Sequence, residues 1–118
     1  MADLDVRDAA LLLDMLLAAQ DALSFVTDLD ERAFLESRLH QAAIIRQLEI
    51  IGEAAGKVSP DVRGALLQIP WREIIGMRNR LIHGYADVEI DHVWAVVKSD
   101  LQPLITALEP LIPPPLQP

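Results

Sequence analysis

The sequence predicts an all-α fold, an up-down helical bundle of four to five helices. Apolar residues recur at helical spacing along most of the 118-residue chain, and no stretch alternates apolar and polar residues for long enough to make a strand. Serine, aspartate and proline stand where helices would begin, with short links between them, which is the punctuation of antiparallel helix packing. The chain is 52% hydrophobic but only 4% aromatic, so leucine, isoleucine, valine and alanine have to build the core. So apolar a chain of this size is expected to hide part of its surface in a homodimer.

The first helix is expected from Leu4 to about Leu23, where leucines and alanines are interrupted by an acid every few residues and the apolar stripe is wide. Asp28-x-x-Glu31 reads as a variant capping box opening a second helix that runs to Lys57. Along that helix Ile44, Leu48, Ile51, Ala55 and Val58 alternate spacings of four and three, the seam of a helix pair, so it should be central. Near its end Gly52, Ala54, Ala55 and Gly56 strip away side-chain bulk and would admit another backbone closely. Ser59-Pro60 is an N-cap followed by proline at the first helical position, starting a short helix to about Gln68. Pro70 repeats the device for a helix through Arg80 that should stop at Gly84. Val93, Val96, Val97, Leu101, Leu104, Ile105 and Leu108 mark a last helix, bent by Pro103. One domain over 1–110, followed by a proline-rich tail over 111–118, is the expected organisation.

Cysteine is absent, which removes disulfides and thiolate chemistry. No run of about 18 apolar residues occurs, and Asp3, Asp5 and Asp8 occupy the region where a secretory leader needs positive charge, so a cytoplasmic protein with no membrane partner is expected. The net charge of −8 speaks against a polyanionic ligand. Its distribution softens that objection: residues 38–83 hold seven bases against four acids, whereas residues 1–37 hold nine acids and two bases.

That basic middle ends on Arg78-Asn79-Arg80-Leu81-Ile82-His83-Gly84-Tyr85, the most chemically informative stretch of the chain. Arg78 offers a fixed cation and His83 a group of the kind that trades protons near neutrality, a pairing suited to phosphodiester chemistry. A helix turns about 100° per residue, so Arg78 and His83 emerge about 140° apart and about 7.5 Å apart along the axis. Asn79 and His83, four apart, share a face, so Asn79 is placed to orient the imidazole or to bind the same phosphate. Arg80 is read as pointing away from both and merely solvated. For Arg78 to join His83, the helix must end early, the arginine must curl round it, or a twofold dimer must supply residues from two chains to one cleft.

The spacing Arg78-x4-His83-x-Tyr85 resembles the signature of HEPN domains, and its trailing tyrosine resembles HepT-like toxins, the partners of MntA-type minimal nucleotidyltransferase antitoxins. Ile50-Ile51-Gly52-Glu53-Ala54-Ala55, Ile69-Pro70-Trp71 and Val93-Trp94 look like the same family in the same order, so the resemblance covers roughly residues 5 to 110. It implies a dimeric, metal-independent RNA endonuclease without a cofactor. His83 would take the proton of a 2′-hydroxyl, Arg78 would stabilise charge on the phosphate, and the product would end in a 2′,3′-cyclic phosphate. The family also implies that the antitoxin transfers AMP to Tyr85, setting a phosphate and a nucleoside two residues from the base. Metal-dependent cleavage would want clustered carboxylates, and the motif has none.

Each residue also has a plainer reading. His83 could serve only to face the helix dipole, Arg78 could pair with Glu73 or Asp87, Asn79 could face solvent, and Tyr85 could pack in the core. Glu53 is a candidate partner for Arg78, while His40 and His92 are read as structural or exposed and Trp71 and Trp94 as core anchors. An alternative for the whole chain is a non-catalytic subunit that docks a minimal nucleotidyltransferase and presents nucleotide or substrate to it.

Overall fold

In a computed structural model, described over residues 4–83 and 88–113, the chain forms seven α-helices and one 3-10 turn, with no strand among the described residues. They are α1 (Val6–Phe25), α2 (Glu31–Leu35), α3 (Arg38–Lys57), α4 (Pro60–Ala65), α5 (Trp71–His83), α6 (Ile90–Ser99) and α7 (Leu101–Leu108), with the 3-10 turn at Glu109–Leu111. The all-α prediction holds. Two of the expected helices are each divided in two, which raises the number to seven.

The first division falls at Ser37. Its hydroxyl accepts the His40 N–H and lies 2.6 Å from His40 Nδ1, so it caps α3 and ends any continuation from α2. Gln41 donates from Nε2 to the carbonyls of Phe34 and Leu35, both at 3.1 Å, tying off the end of α2. The start of α2 also differs from expectation. Asp30, not Asp28, is the N-cap and accepts from the Ala33 N–H, while Asp28 adopts φ 66°, a left-handed conformation that aspartate tolerates in turns. The second division falls at Asp100, because the ring of Pro103 collides with the carbonyl four residues earlier and has no N–H to offer it.

The long helix α3 is the hub, packing on α1, α5 and α2, as its seam predicted. Ile44, Leu48, Ile51, Ala55 and Val58 are all buried, against Leu12, Met15, Leu16, Ala19 and Ala22 of α1 in one continuous core. The valines, leucines and isoleucine expected from Val93 to Leu108 are buried too. The start of α1 is locked to the end of α3 by Asp8, only 3% exposed, which accepts from the Ser59 N–H at 2.9 Å and the Ser59 hydroxyl at 2.8 Å. This clasp makes α1 and α3 antiparallel, and it spans 51 residues of sequence. No described helix is long and apolar enough to cross a membrane.

Candidate active site

Pro70 and Trp71 start the motif helix. The Pro70 carbonyl accepts the Ile74 N–H, and the buried Trp71 ring donates from Nε1 to the Leu66 carbonyl at 3.0 Å. Leu81 is buried at the other end, so α5 is pinned to the core at both ends and the phase of the residues between is set. Arg80 and His83 fall in its last turn, where the helix dipole favours positive charge.

Arg78 faces α3. The backbone of α3 comes so near that a β-carbon on Gly52 would collide with the Arg78 β-carbon and lie 3.3 Å from the Ile74 carbonyl. The predicted close approach is therefore real at Gly52; at Gly56 the same atom would meet nothing within 4 Å. Arg78 is half-buried, and its Nε is buried with no hydrogen-bond partner among the described residues. Glu53 is not its partner: it is exposed and pairs with Lys57 at 3.2 Å. With Gly52 turned toward α5, the next residue is rotated by about 100° and points elsewhere.

Gly52→Ala should therefore push α3 and α5 apart, costing about 1–3 kcal/mol of overpacking. A thermal melt should show a clear fall for this variant and none for Gly56→Ala, and RNA cleavage should fall only in the former.

Asn79 and His83 lie on the other side of α5, on one wall of a groove of about 660 Å³. Their shared face was expected; the presence of Arg80 on the same wall was not. Arg80 stands three residues before His83, a rotation of only about 60°, which makes the two neighbours on the helix surface. The start of α6 supplies the rest of the described polar lining, Glu89 and His92. Met77, Leu81, Val88 and Val93 supply apolar lining, so a few polar groups converge over a greasy base, the usual make-up of a ligand site. Arg78 is absent from this lining, in keeping with its divergence from His83.

The start of α6 is held by the core. Val93 and Trp94 are buried, and the Trp94 ring packs on Phe34 with centroids 5.1 Å apart, under Lys98. Both tryptophans are thus core anchors. The Glu89 carbonyl accepts the N–H groups of His92 and Val93, fixing the first turn of α6. Gly84 and Tyr85, with the predicted helix stop and modification site, lie outside the described residues.

The family model for ribonuclease HepT-like proteins matches residues 15–111. The chain belongs to the HepT-like family. Among its relatives, a predicted RNase of Methanocaldococcus jannaschii is 39% identical over 101 residues, covering 86% of this chain and 91% of the relative. A second from the same organism is 36% identical over 103 residues, covering 87% and 89%. A predicted ribonuclease HepT of Thermococcus cleftensis is 42% identical over 78 residues, covering 66% and 71%. No solved structure matches the chain. This HepT-like chain is accordingly a ribonuclease, whose substrate is RNA.

Proposed function

We propose that the chain is the RNA endonuclease toxin of a toxin–antitoxin pair, cleaving without metal and restrained by AMP transfer to Tyr85. The observation that carries the reading is one helix wall bearing Asn79, Arg80 and His83 over an apolar groove, within an Arg78-x4-His83-x-Tyr85 sequence. His83 removes the 2′-hydroxyl proton, the 2′-oxygen attacks the adjacent phosphorus, and the P–O5′ bond breaks to leave a 2′,3′-cyclic phosphate and a 5′-oxygen that takes a proton to become a hydroxyl. Asn79, four residues before His83, orients the imidazole or holds a phosphate oxygen. Arg78 neutralises charge on the phosphate. Its position toward α3, with Nε lacking a partner, supports a homodimer in which two copies complete one cleft. Among the described residues the groove's polar lining offers imidazole, carboxamide, guanidinium and the carboxylate of Glu89, a donor set that supports acid–base chemistry.

Control at Tyr85 follows from the same chemistry. Its hydroxyl attacks the α-phosphorus of ATP on the partner nucleotidyltransferase, pyrophosphate leaves, and the new phosphodiester brings negative charge and bulk close to His83. Unmodified protein should cleave total RNA equally well with and without chelator, leaving 2′,3′-cyclic phosphate ends. With ATP, magnesium and the nucleotidyltransferase, the wild type should gain adenylate mass and lose activity, and Tyr85→Phe should do neither. Failure to cleave RNA, with binding to the nucleotidyltransferase retained, would replace the toxin reading with that of a docking subunit.

A further inference from the structure

The chain has three histidines, and the structure divides them by role. His40 is committed to the α3 cap through Ser37. His83 and His92 both line the groove, both are exposed, and neither ring makes a hydrogen bond to any described residue. They come from different helices, one from the last residue of α5 and the other from the first turn of α6.

Cleavage by a 2′-oxygen needs two proton transfers. As the O2′–P bond forms, a base accepts the 2′-hydroxyl proton; as the P–O5′ bond breaks, the departing 5′-oxygen needs a proton, because an alkoxide is a poor leaving group. In-line displacement puts those two oxygens on opposite sides of the phosphorus. Base and acid must therefore stand across the scissile phosphate from each other, and one helix wall cannot supply both.

We propose that His92 is a catalytic residue of this chain, the general acid that protonates the departing 5′-oxygen while His83, on the other helix, acts as base. This rests on the ribonuclease reading of the groove. The reaction begins with His83 neutral and His92 protonated and ends with the charges exchanged; one proton enters His83 from O2′ and one leaves His92 for O5′, so no co-reactant is needed. Among the described residues, Arg80 and Glu89 are the other charged side chains lining the groove. Arg80 favours phosphate entry.

The test compares a dinucleotide with an ordinary 3′,5′-phosphodiester and one whose bridging 5′-oxygen is sulfur, a leaving group that departs without a proton. His92→Ala should slow the ordinary linkage by about 10²–10⁴-fold and cleave the sulfur linkage at close to the wild-type rate. His83→Ala should be slow on both. Over pH, the wild type should show a bell, and His92→Ala should lose the fall on the alkaline side, since that limb reports the acid. Activity on the sulfur substrate also proves that the variant is folded. Equal losses on both substrates, or no loss on the ordinary one, would overturn the assignment of His92. If the wild type cleaves neither linkage, the ribonuclease reading of the groove itself is wrong.

Discussion

His83→Ala should reduce RNA cleavage by about 10²–10⁴-fold, with no measurable fall in melting temperature. The imidazole is exposed at the end of α5 and makes no hydrogen bond to a described residue, so its removal leaves no cavity and no orphaned buried partner. Rate and stability are thus well separated, and circular dichroism beside a cleavage assay reads both. A folded variant that cuts at the wild-type rate would remove His83 from the mechanism. His83→Gln sharpens the result, since glutamine keeps a hydrogen-bonding side chain but cannot accept a proton, and it should be as inactive as the alanine variant.

The parts of this protein that the sequence made legible are those governed by burial of one stripe. The seam from Ile44 to Val58 and the stripe from Val93 to Leu108 are buried as their spacing required, because a helix with one apolar face has few other ways to hide it. The helix breaks at Ser37 and Asp100 were not legible in that pattern. They arise from side-chain bonds to backbone and from a proline collision, which compete with helical hydrogen bonds without disturbing the apolar period. The Asp8–Ser59 clasp was invisible for another reason: it joins groups 51 residues apart and leaves no local mark. In the groove, the partnership of Asn79 and His83 followed from helical phase, and so did that of Arg80, whose rotation of about 60° from His83 was there to be counted. His92 reaches the groove through the placement of α6, which is held by buried Val93 and by Trp94 on Phe34 of α2, not by any spacing within the motif.

Arg78→Lys should be nearly as damaging as Arg78→Ala, each lowering cleavage by about 10²–10³-fold, the usual loss when one donor to a developing oxyanion is deleted. The reason lies in how the residue is held. Its β-carbon rests against the space left by Gly52, and its Nε is buried without a hydrogen-bond partner among the described residues. An unsatisfied buried donor is costly in a resting protein, and a guanidinium retains that cost usefully only if a ligand meets the fork. Lysine would keep the stem's packing and the positive charge, so the lysine variant isolates the planar geometry from charge alone. Thermal melts should show the lysine variant as stable as the wild type or slightly more so, because the orphaned Nε is gone. Full activity in Arg78→Lys would reduce Arg78 to a source of general positive potential. Mixing Arg78→Ala with His83→Ala subunits then asks where the arginine acts: recovered cleavage means that it reaches the groove of a second copy, whereas no recovery from a mixture shown by light scattering to be dimeric means that arginine and histidine serve within one chain.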